Sequence, residues 1–302
     1  MNSIANIGGH GIGDCILSLQ ISNALTNIGV SHANLLSTRP QVFDALKFIF
    51  GEQISFERID EKYSENNSII SDNNLQKEIL SKYSCEDITY NIPDLVFQHP
   101  LSFNFEKYGL FMNPIRRHRL LPKKFGSKEK IIYCGLCSVH DYHIYKDIPN
   151  LLRRLAEFLP LYTIYFPHLS SWTKTLPNLG DFSGKFPENV HIDHDPNFQK
   201  SLEILTKSCY GLFTDNGPSH IAYHLGIPRL ILDPEYQNIL WTCRWKDDPE
   251  ECLPIQTPIN DIVNIITENI KCPQSTLIDK VTAQHIINNY KSEWNKIFYF
   301  KF

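Results

Sequence analysis

The chain has no apolar run approaching the roughly 20 residues that span a bilayer as a helix, so no helical membrane span is expected. It also lacks an excess of charge of one sign. Lys and Arg number 29 against 33 Asp and Glu, a net charge of −4, and no basic field of the kind that draws nucleic acid is present. The first residues, Met1-Asn2-Ser3-Ile4-Ala5-Asn6-Ile7-Gly8, have neither the basic start nor the apolar core of a secretory signal. The expectation is a cytoplasmic protein with at most peripheral contact at the inner face of a membrane. Internal repeats and low-complexity tracts are missing too. So are metal-ligand spacings. Cys134-x-x-Cys137 has no second ligand pair and no helix start directly after its first cysteine, which argues against zinc and redox roles. Cys15, Cys85, Cys134, Cys137, Cys209, Cys243, Cys252 and Cys272 are scattered, several inside apolar runs, where a free thiol packs as a small hydrophobe. His220 and His224 lie four apart, but no Glu follows His220 as in His-Glu-x-x-His and no third ligand is suggested.

What is present is a long alternation of strands and helices, in a chain whose 302 residues suggest about two domains. Ile4 to Gly8 reads as a strand and Gly8-Gly9-His10-Gly11-Ile12-Gly13-Asp14 as a glycine-rich turn. From Cys15 to Ile28 apolar residues recur at helical spacing. Ala33 to Ser37 is a second strand, Pro40 opens a helix to Phe50, and Ile54 to Ile59 is a third strand. Asp60 to Asn74 is polar and reads partly as loop, with a short strand at residues 68–71. A charged stretch with Pro and Gly at residues 121–130 marks a boundary, and the alternation then restarts. Strands are expected at 130–136, 161–166, 190–192, 210–214 and 229–232, and helices at 148–158, 198–209, 219–225, 260–270 and 277–299. Alternation of this kind predicts parallel, doubly wound sheets. We read residues 1–122 as one Rossmann-like domain, 123–275 as a second, and 276–302 as a helix returning to the first.

The segment from Gly211 to Pro228 is the most specific. It reads as a buried strand, a polar turn, a short helix and the entry to a further strand. The turn Thr214-Asp215-Asn216-Gly217-Pro218-Ser219 presents backbone N–H groups at a helix start, where the dipole is positive, and so forms a ready anion site. Open α/β sheets bind phosphorylated ligands at such carboxyl strand ends.

These residues resemble glycosyltransferase family 9, the lipopolysaccharide heptosyltransferases. The family's Asp-Thr-Gly-x-x-His turn and Ala-x-x-Leu-Gly-x-Pro run are matched by Asp215-Asn216-Gly217-Pro218-Ser219-His220, Ala222, Leu225-Gly226 and Pro228, with Asn in place of the usual small hydroxyl residue. Gly13-Asp14 matches the Gly-Asp at the family's first helix, and Lys146-Asp147-Ile148-Pro149 its Lys-x-Trp-Pro, without the Trp. The resemblance implies a GT-B fold, two Rossmann-like domains facing a central cleft. It implies a nucleotide-diphosphate sugar bound by the second domain, a saccharide or lipid-linked acceptor at the first, and inverting transfer without a metal or other cofactor.

Inverting transfer needs a base for the acceptor hydroxyl, and Asp14 is the candidate. Capping of the first helix is the plain alternative for it. The leaving diphosphate needs positive potential, for which the N–H groups of Gly217 to His220, the His220 side chain and Lys146 are candidates. Thr214, Asp215, Asn216, Gly217, Pro218 and Ser219 complete the expected donor turn. Asp215 reads equally as a turn former and Lys146 as a surface lysine. Asp193, within Asp193-His194-Asp195, is a candidate for ribose hydroxyls or simply a turn residue. His10, Gly11, Gly13 and Arg39 are candidates for the acceptor side. The basic run Arg116-Arg117-His118-Arg119, with Lys123 and Lys124, is a candidate for acceptor phosphates or an anionic membrane surface, or is a solvated linker face. Two other functions fit the same residues: a nucleotide-sugar hydrolase or epimerase, and a non-catalytic nucleotide- or glycan-binding protein.

Overall fold

The computed structural model describes residues 3–27, 29–60, 63, 72–91, 120–137, 144–168, 182, 184–194, 196–214, 216–233 and 252–271. The chain divides into two compact units, Met1–Phe125 and Gly126–Phe302. Among the described residues no helix is long and apolar enough to cross a membrane.

The first unit runs β1 (Ile4–His10), α1 (Ile12–Asn27), β2 (His32–Thr38), α2 (Pro40–Phe50), β3 (Glu57–Ile59), α3 (Asn73–Tyr83) and β4 (Asp87–Asn91). Its four strands are parallel in the order β3-β2-β1-β4. Ala5, Ile7, Leu35 and Ile88 form one face with Ile79 of α3. On the other face α1 lies close to β1. Asn6 Nδ2 donates to Ser18 O at 2.8 Å, and a Cβ added at Gly8 would stand 2.7 Å from Ser18 Cβ. That approach explains one difference from the sequence reading. Gly8 and Gly9 do not begin the turn. The strand continues to His10, paired with Thr38, because glycines admit the helix against a regular strand. α1 is buried nearly all round, with Ser18, Gln20 and Ser22 inside beside Ile16, Leu19 and Leu25, so its apolar residues follow no single stripe.

Two elements here escaped the sequence reading. α3 begins within and after the stretch read as loop, and it buries only Ile79 fully. Its start is set locally: Asp72 Oδ1 accepts from Asn74 N at 2.8 Å and Leu75 N at 3.3 Å. β4 is a five-residue edge strand too short to stand out by alternation. The short strand expected at residues 68–71 lies outside the described residues.

The second unit runs β5 (Glu129–Gly135), α4 (Ile148–Phe158), β6 (Thr163–His168), β7 (Val190–His194), α5 (Phe198–Lys207), β8 (Ser208–Thr214), α6 (Gly217–His224), β9 (Arg229–Asp233), β10 (Cys252–Pro254) and α7 (Ile259–Lys271). Its six strands are all parallel, in the order β10-β9-β8-β5-β6-β7. Counted from β5, this is the Rossmann order, and the order reverses between β5 and β8. One face of the sheet is aliphatic: Ile132, Cys134, Ile164, Phe166, Leu212, Leu230 and Leu232 pack with Ile148, Leu151 and Leu155 of α4 and Ile262, Val263 and Ile266 of α7. The opposite face is aromatic. The Tyr133 ring lies 5.5 Å from Tyr165 and 5.8 Å from Phe213, and Tyr165 stacks on His191 at 5.6 Å. The phenols are bonded: Tyr133 Oη lies 2.7 Å from Ser201 Oγ of α5, and Tyr165 donates to Asp193 Oδ2 at 2.9 Å. Helices on both faces of each sheet make the α/β, doubly wound class expected from sequence. The helix expected at residues 277–299 lies outside the described residues.

Candidate functional site

The crevice outside the carboxyl ends of the strands, where strand order reverses, is the binding position that an open parallel sheet offers. In the second unit it lies beyond Gly135 of β5 and Thr214 of β8. Asn216 stands there as the N-cap of α6. Its Oδ1 accepts from Ser219 N at 3.1 Å, satisfying one of the helix's unpartnered donors. Its Nδ2 donates to Gly135 O at 2.6 Å and to Cys137 O at 3.2 Å. One side chain therefore caps the helix and ties down the start of the loop that follows β5. Ser219 Oγ adds a bond to Asn216 O at 2.7 Å.

The anion-binding capacity of this turn is narrower than the sequence reading assumed. Pro218 has no N–H, and the Ser219 N–H is held by the cap. Among the described residues that leaves the Gly217 N–H, with the helix dipole, as the first-turn donor. His220 and His224 are both buried, and His224 meets the Tyr223 ring edge-on at 5.0 Å. Thr214 is the buried last residue of β8. α6 ends at the Leu225-Gly226 pair, where Gly226 takes φ 68°, the left-handed conformation that glycine adopts freely. Asp215 lies outside the described residues.

Lys146 is exposed, two residues before α4, on the same carboxyl side of the sheet as Asn216. The loop's other end is anchored by Tyr145, whose hydroxyl donates to Thr257 O at 3.3 Å. Asp193 sits apart, at the end of the edge strand β7. Its Oδ2 takes the Tyr165 phenol and lies 3.8 Å from Lys200 Nζ. Burial, then that bond, pushes the Tyr165 hydroxyl up. Asp193 thus has a structural partner, and Asp195 lies outside the described residues. Burial pushes the Cys134 thiol up and the Cys137 thiol to about 12, and both are free, which agrees with packing roles. Among the described residues no three His, Cys, Asp or Glu side chains gather as metal ligands.

In the first unit the corresponding reversal falls between β1 and β4, and α1 starts beside it. Asp14 is not the N-cap. That position is Gly11, and Asp14 is the third helical residue, half-buried, its Oδ2 accepting the Gly11 N–H at 3.2 Å. This is half of a capping box, and it holds the carboxylate at the carboxyl end of β1. Gly13 is half-buried in the same turn, and the His10 backbone closes β1. Arg39 is exposed at the end of β2, preceding α2 without a side-chain cap bond. Arg116, Arg117, His118 and Arg119 lie outside the described residues. Lys123 serves the fold: its Nζ stands 4.0 Å from the Phe48 ring centroid and 5.4 Å from that of Phe125.

The sequence reading missed the two carbonyls bound by Asn216, because backbone acceptors carry no residue signature. It also missed the meeting of His168 with His194, which end neighbouring strands with their Nδ1 atoms 3.1 Å apart. Only strand register brings them together.

No protein-family model matches the chain, and no curated protein sequence matches it. Solved structures do. A glycosyl transferase family 9 protein from Veillonella parvula is 12% identical, covers 97% of this chain and 98% of its own, and gives a TM-score of 0.56. The ADP-heptose lipopolysaccharide heptosyltransferase II of E. coli is 10% identical over 91% of this chain and 100% of its own, with a TM-score of 0.57. A Listeria monocytogenes protein provisionally assigned as a UDP-N-acetylglucosamine 2-epimerase is 11% identical over 97% of each chain, with a TM-score of 0.53. At these identities the likeness is one of fold. The chain has the two-unit α/β fold of GT-B glycosyltransferases and epimerases.

Proposed function

We propose that this protein is an inverting, metal-independent glycosyltransferase that takes a nucleotide-diphosphate sugar at the carboxyl edge of its second unit and transfers the sugar to a saccharide or lipid-linked acceptor. The observation that carries the reading is the position of the Asn216-Gly217-Pro218-Ser219 helix start at the strand-order reversal. There a diphosphate meets the positive end of α6. The fold shared with glycosyltransferases supports it, as does the order of motifs along the chain.

The residues divide the work as follows. The Gly217 N–H and the α6 dipole meet the diphosphate, and Lys146 offsets the charge that develops as it leaves. Asp14 takes the proton of the acceptor hydroxyl as its oxygen attacks the anomeric carbon. The C–O bond to the diphosphate breaks with inversion, and the nucleoside diphosphate departs with the bonding pair. Donors with adenine and heptose are the first to test, since the E. coli neighbour uses ADP-heptose by its description. A second reading, nucleotide-sugar epimerisation, is favoured by the fold shared with the Listeria protein.

The test is a thermal-shift panel of nucleoside diphosphates and nucleotide sugars. A bound member at about 100 times its Kd should stabilise the protein by about 2.7 kcal/mol, a rise of several degrees. Failure of every nucleoside diphosphate to bind, checked by calorimetry, would sink the donor-site reading. With the best donor, glycosylated acceptor and free diphosphate are expected; an epimerised sugar still attached to its diphosphate would favour the second reading.

A further inference from the structure

The first unit holds a polar cavity that none of the chemistry above uses. Its volume is about 320 Å³, and it lies between the second half of α1, the first half of β2 and the segment leading into β3. These are the amino ends of the strands, the edge opposite Asp14. Ser22 and Thr26, which line it, follow Asp14 along α1 by roughly 12 and 18 Å. The floor is fixed by internal bonds. Asn34 Nδ2 donates to Ser55 O at 2.8 Å, and Asn34 Oδ1 accepts from Asn6 Nδ2 at 3.1 Å. His32 Nδ1 donates to Val30 O at 2.9 Å, and its Nε2 lies 2.9 Å from Ser22 Oγ. Groups paired in this way need no rearrangement to receive a ligand. The rim is different. Asn23, Gln53 and Glu57 line it, and among the described residues their side chains have no hydrogen-bond or ion-pair partner. Phe56 adds an aromatic wall, held edge-on against Phe43 with ring centroids 5.4 Å apart.

This lining selects a class of ligand. Among the described residues no Lys or Arg lines the cavity, and His32, its one basic side chain, has both ring nitrogens engaged. A phosphate or carboxylate therefore finds no counter-charge. A purely apolar molecule would strand the Asn23, Gln53 and Glu57 side chains away from water. What fits is a neutral ring bearing several hydroxyls. Two amides, each with donors and an acceptor, and one carboxylate match adjacent hydroxyl groups, and the ring's C–H face rests on Phe56. We propose that this cavity is a saccharide-binding site, separate from the carboxyl edge where transfer is placed above. Its volume is at the low end for small-molecule sites, about 300–1,000 Å³, and suits a mono- or disaccharide. The site stands whether or not the donor-site reading does. Gln53 and Glu57 are exposed, so water competes for their bonds and a Kd of about 1 mM is expected.

The experiment is two-dimensional NMR of the nitrogen-labelled full chain, titrated with glucose, galactose, N-acetylglucosamine, cellobiose and lactose, and separately with ADP, ethanolamine and glutamate. At least one neutral sugar is expected to shift the amides of residues 22–26 and 53–57, and ADP is expected not to displace it. Gln53→Ala and Asn23→Ala should each weaken that sugar about fivefold. Thr26→Trp sets an indole into the cavity from an exposed position on α1 and should abolish binding. Melting temperatures should stay near wild type, and ADP affinity should not change. If Asn23→Ala does not fold, Gln53→Ala and Thr26→Trp decide. The proposal is overturned if no sugar binds, or if the sugar binds Thr26→Trp and Gln53→Ala as it binds wild type. Preference for ethanolamine overturns it too, since Glu57 and Phe56 would then hold a cation, and preference for glutamate overturns it as an anion site. A sugar that ADP displaces, or that shifts only the carboxyl edge, belongs to the transfer site and also overturns it. All these failures leave the donor-site reading standing, and a protein that binds sugar here but no ADP loses that reading and keeps this one.

Discussion

Replacing Asp14 with Asn is expected to lower turnover by about a thousandfold while leaving donor affinity unchanged. Asn keeps an acceptor oxygen for the Gly11 N–H, which Asp14 Oδ2 now receives at 3.2 Å, so the start of α1 survives the exchange. What Asn cannot do is accept the acceptor sugar's proton. A positioned general base contributes roughly 10²–10⁴-fold, and that factor is what the variant removes. The proposed donor site lies in the other unit, at the Gly217 N–H and Lys146, so calorimetric affinity for the nucleoside diphosphate should match wild type. If Asp14 only caps, Asn substitutes at a cost of a few tenths of a kcal/mol and turnover stays within about twofold. The assay is release of nucleoside diphosphate in the presence of acceptor, with the donor found by thermal shift. Asp14→Ala is the wrong experiment, because it removes cap and base together.

The parts of this fold that were legible were those governed by local pattern. α2 at Pro40–Phe50 and α4 at Ile148–Phe158 match their expected limits, since a proline opens each and apolar residues hold one face. β8 and α6 were legible because a buried strand, a polar turn and a Leu-Gly ending follow in a fixed order. Elements held by few contacts were not. α3 rests on Ile79 and a cap, while β4 and β10 are short edge strands. At the site, residue types were readable and their partners were not. Asn216 was expected as a donor contact, yet its amide is spent on carbonyls 79 and 81 residues away. Asp193 was a candidate for a ribose or for a turn, and neither reading contained the phenol that the pairing of β6 with β7 delivers to it. Pairing between strands remote in sequence creates such partners, and no local pattern encodes it.

That pairing also makes Gly211 a position of large expected effect. Gly211 lies in β8 beside Tyr133 of β5, and the Phe213 ring, fully buried, folds back over it and over Gly135. A Cβ added at Gly211 would overlap Phe213 Cε2 and stand 2.6 Å from its Cζ; one added at Gly135 would stand 2.7 Å from Cδ1 of the same ring. Two glycines in facing strands therefore make the seat of one aromatic side chain. The ring has no room to retreat, with Tyr133 at 5.8 Å. Overpacking of this kind costs about 1–3 kcal/mol, so Gly211→Ala is expected to lose about 2 kcal/mol and about 4–8 °C of melting temperature. The steric origin is testable by compensation. Phe213→Leu alone should also destabilise, by about 1–2 kcal/mol through lost packing. The double variant should nevertheless be more stable than the sum of the two predicts, because the smaller side chain vacates the space the new methyl needs. Strictly additive losses, or a Gly211→Ala protein that melts within a degree of wild type, would mean that β8 yields at this point and that the glycine pair does not set the ring's place.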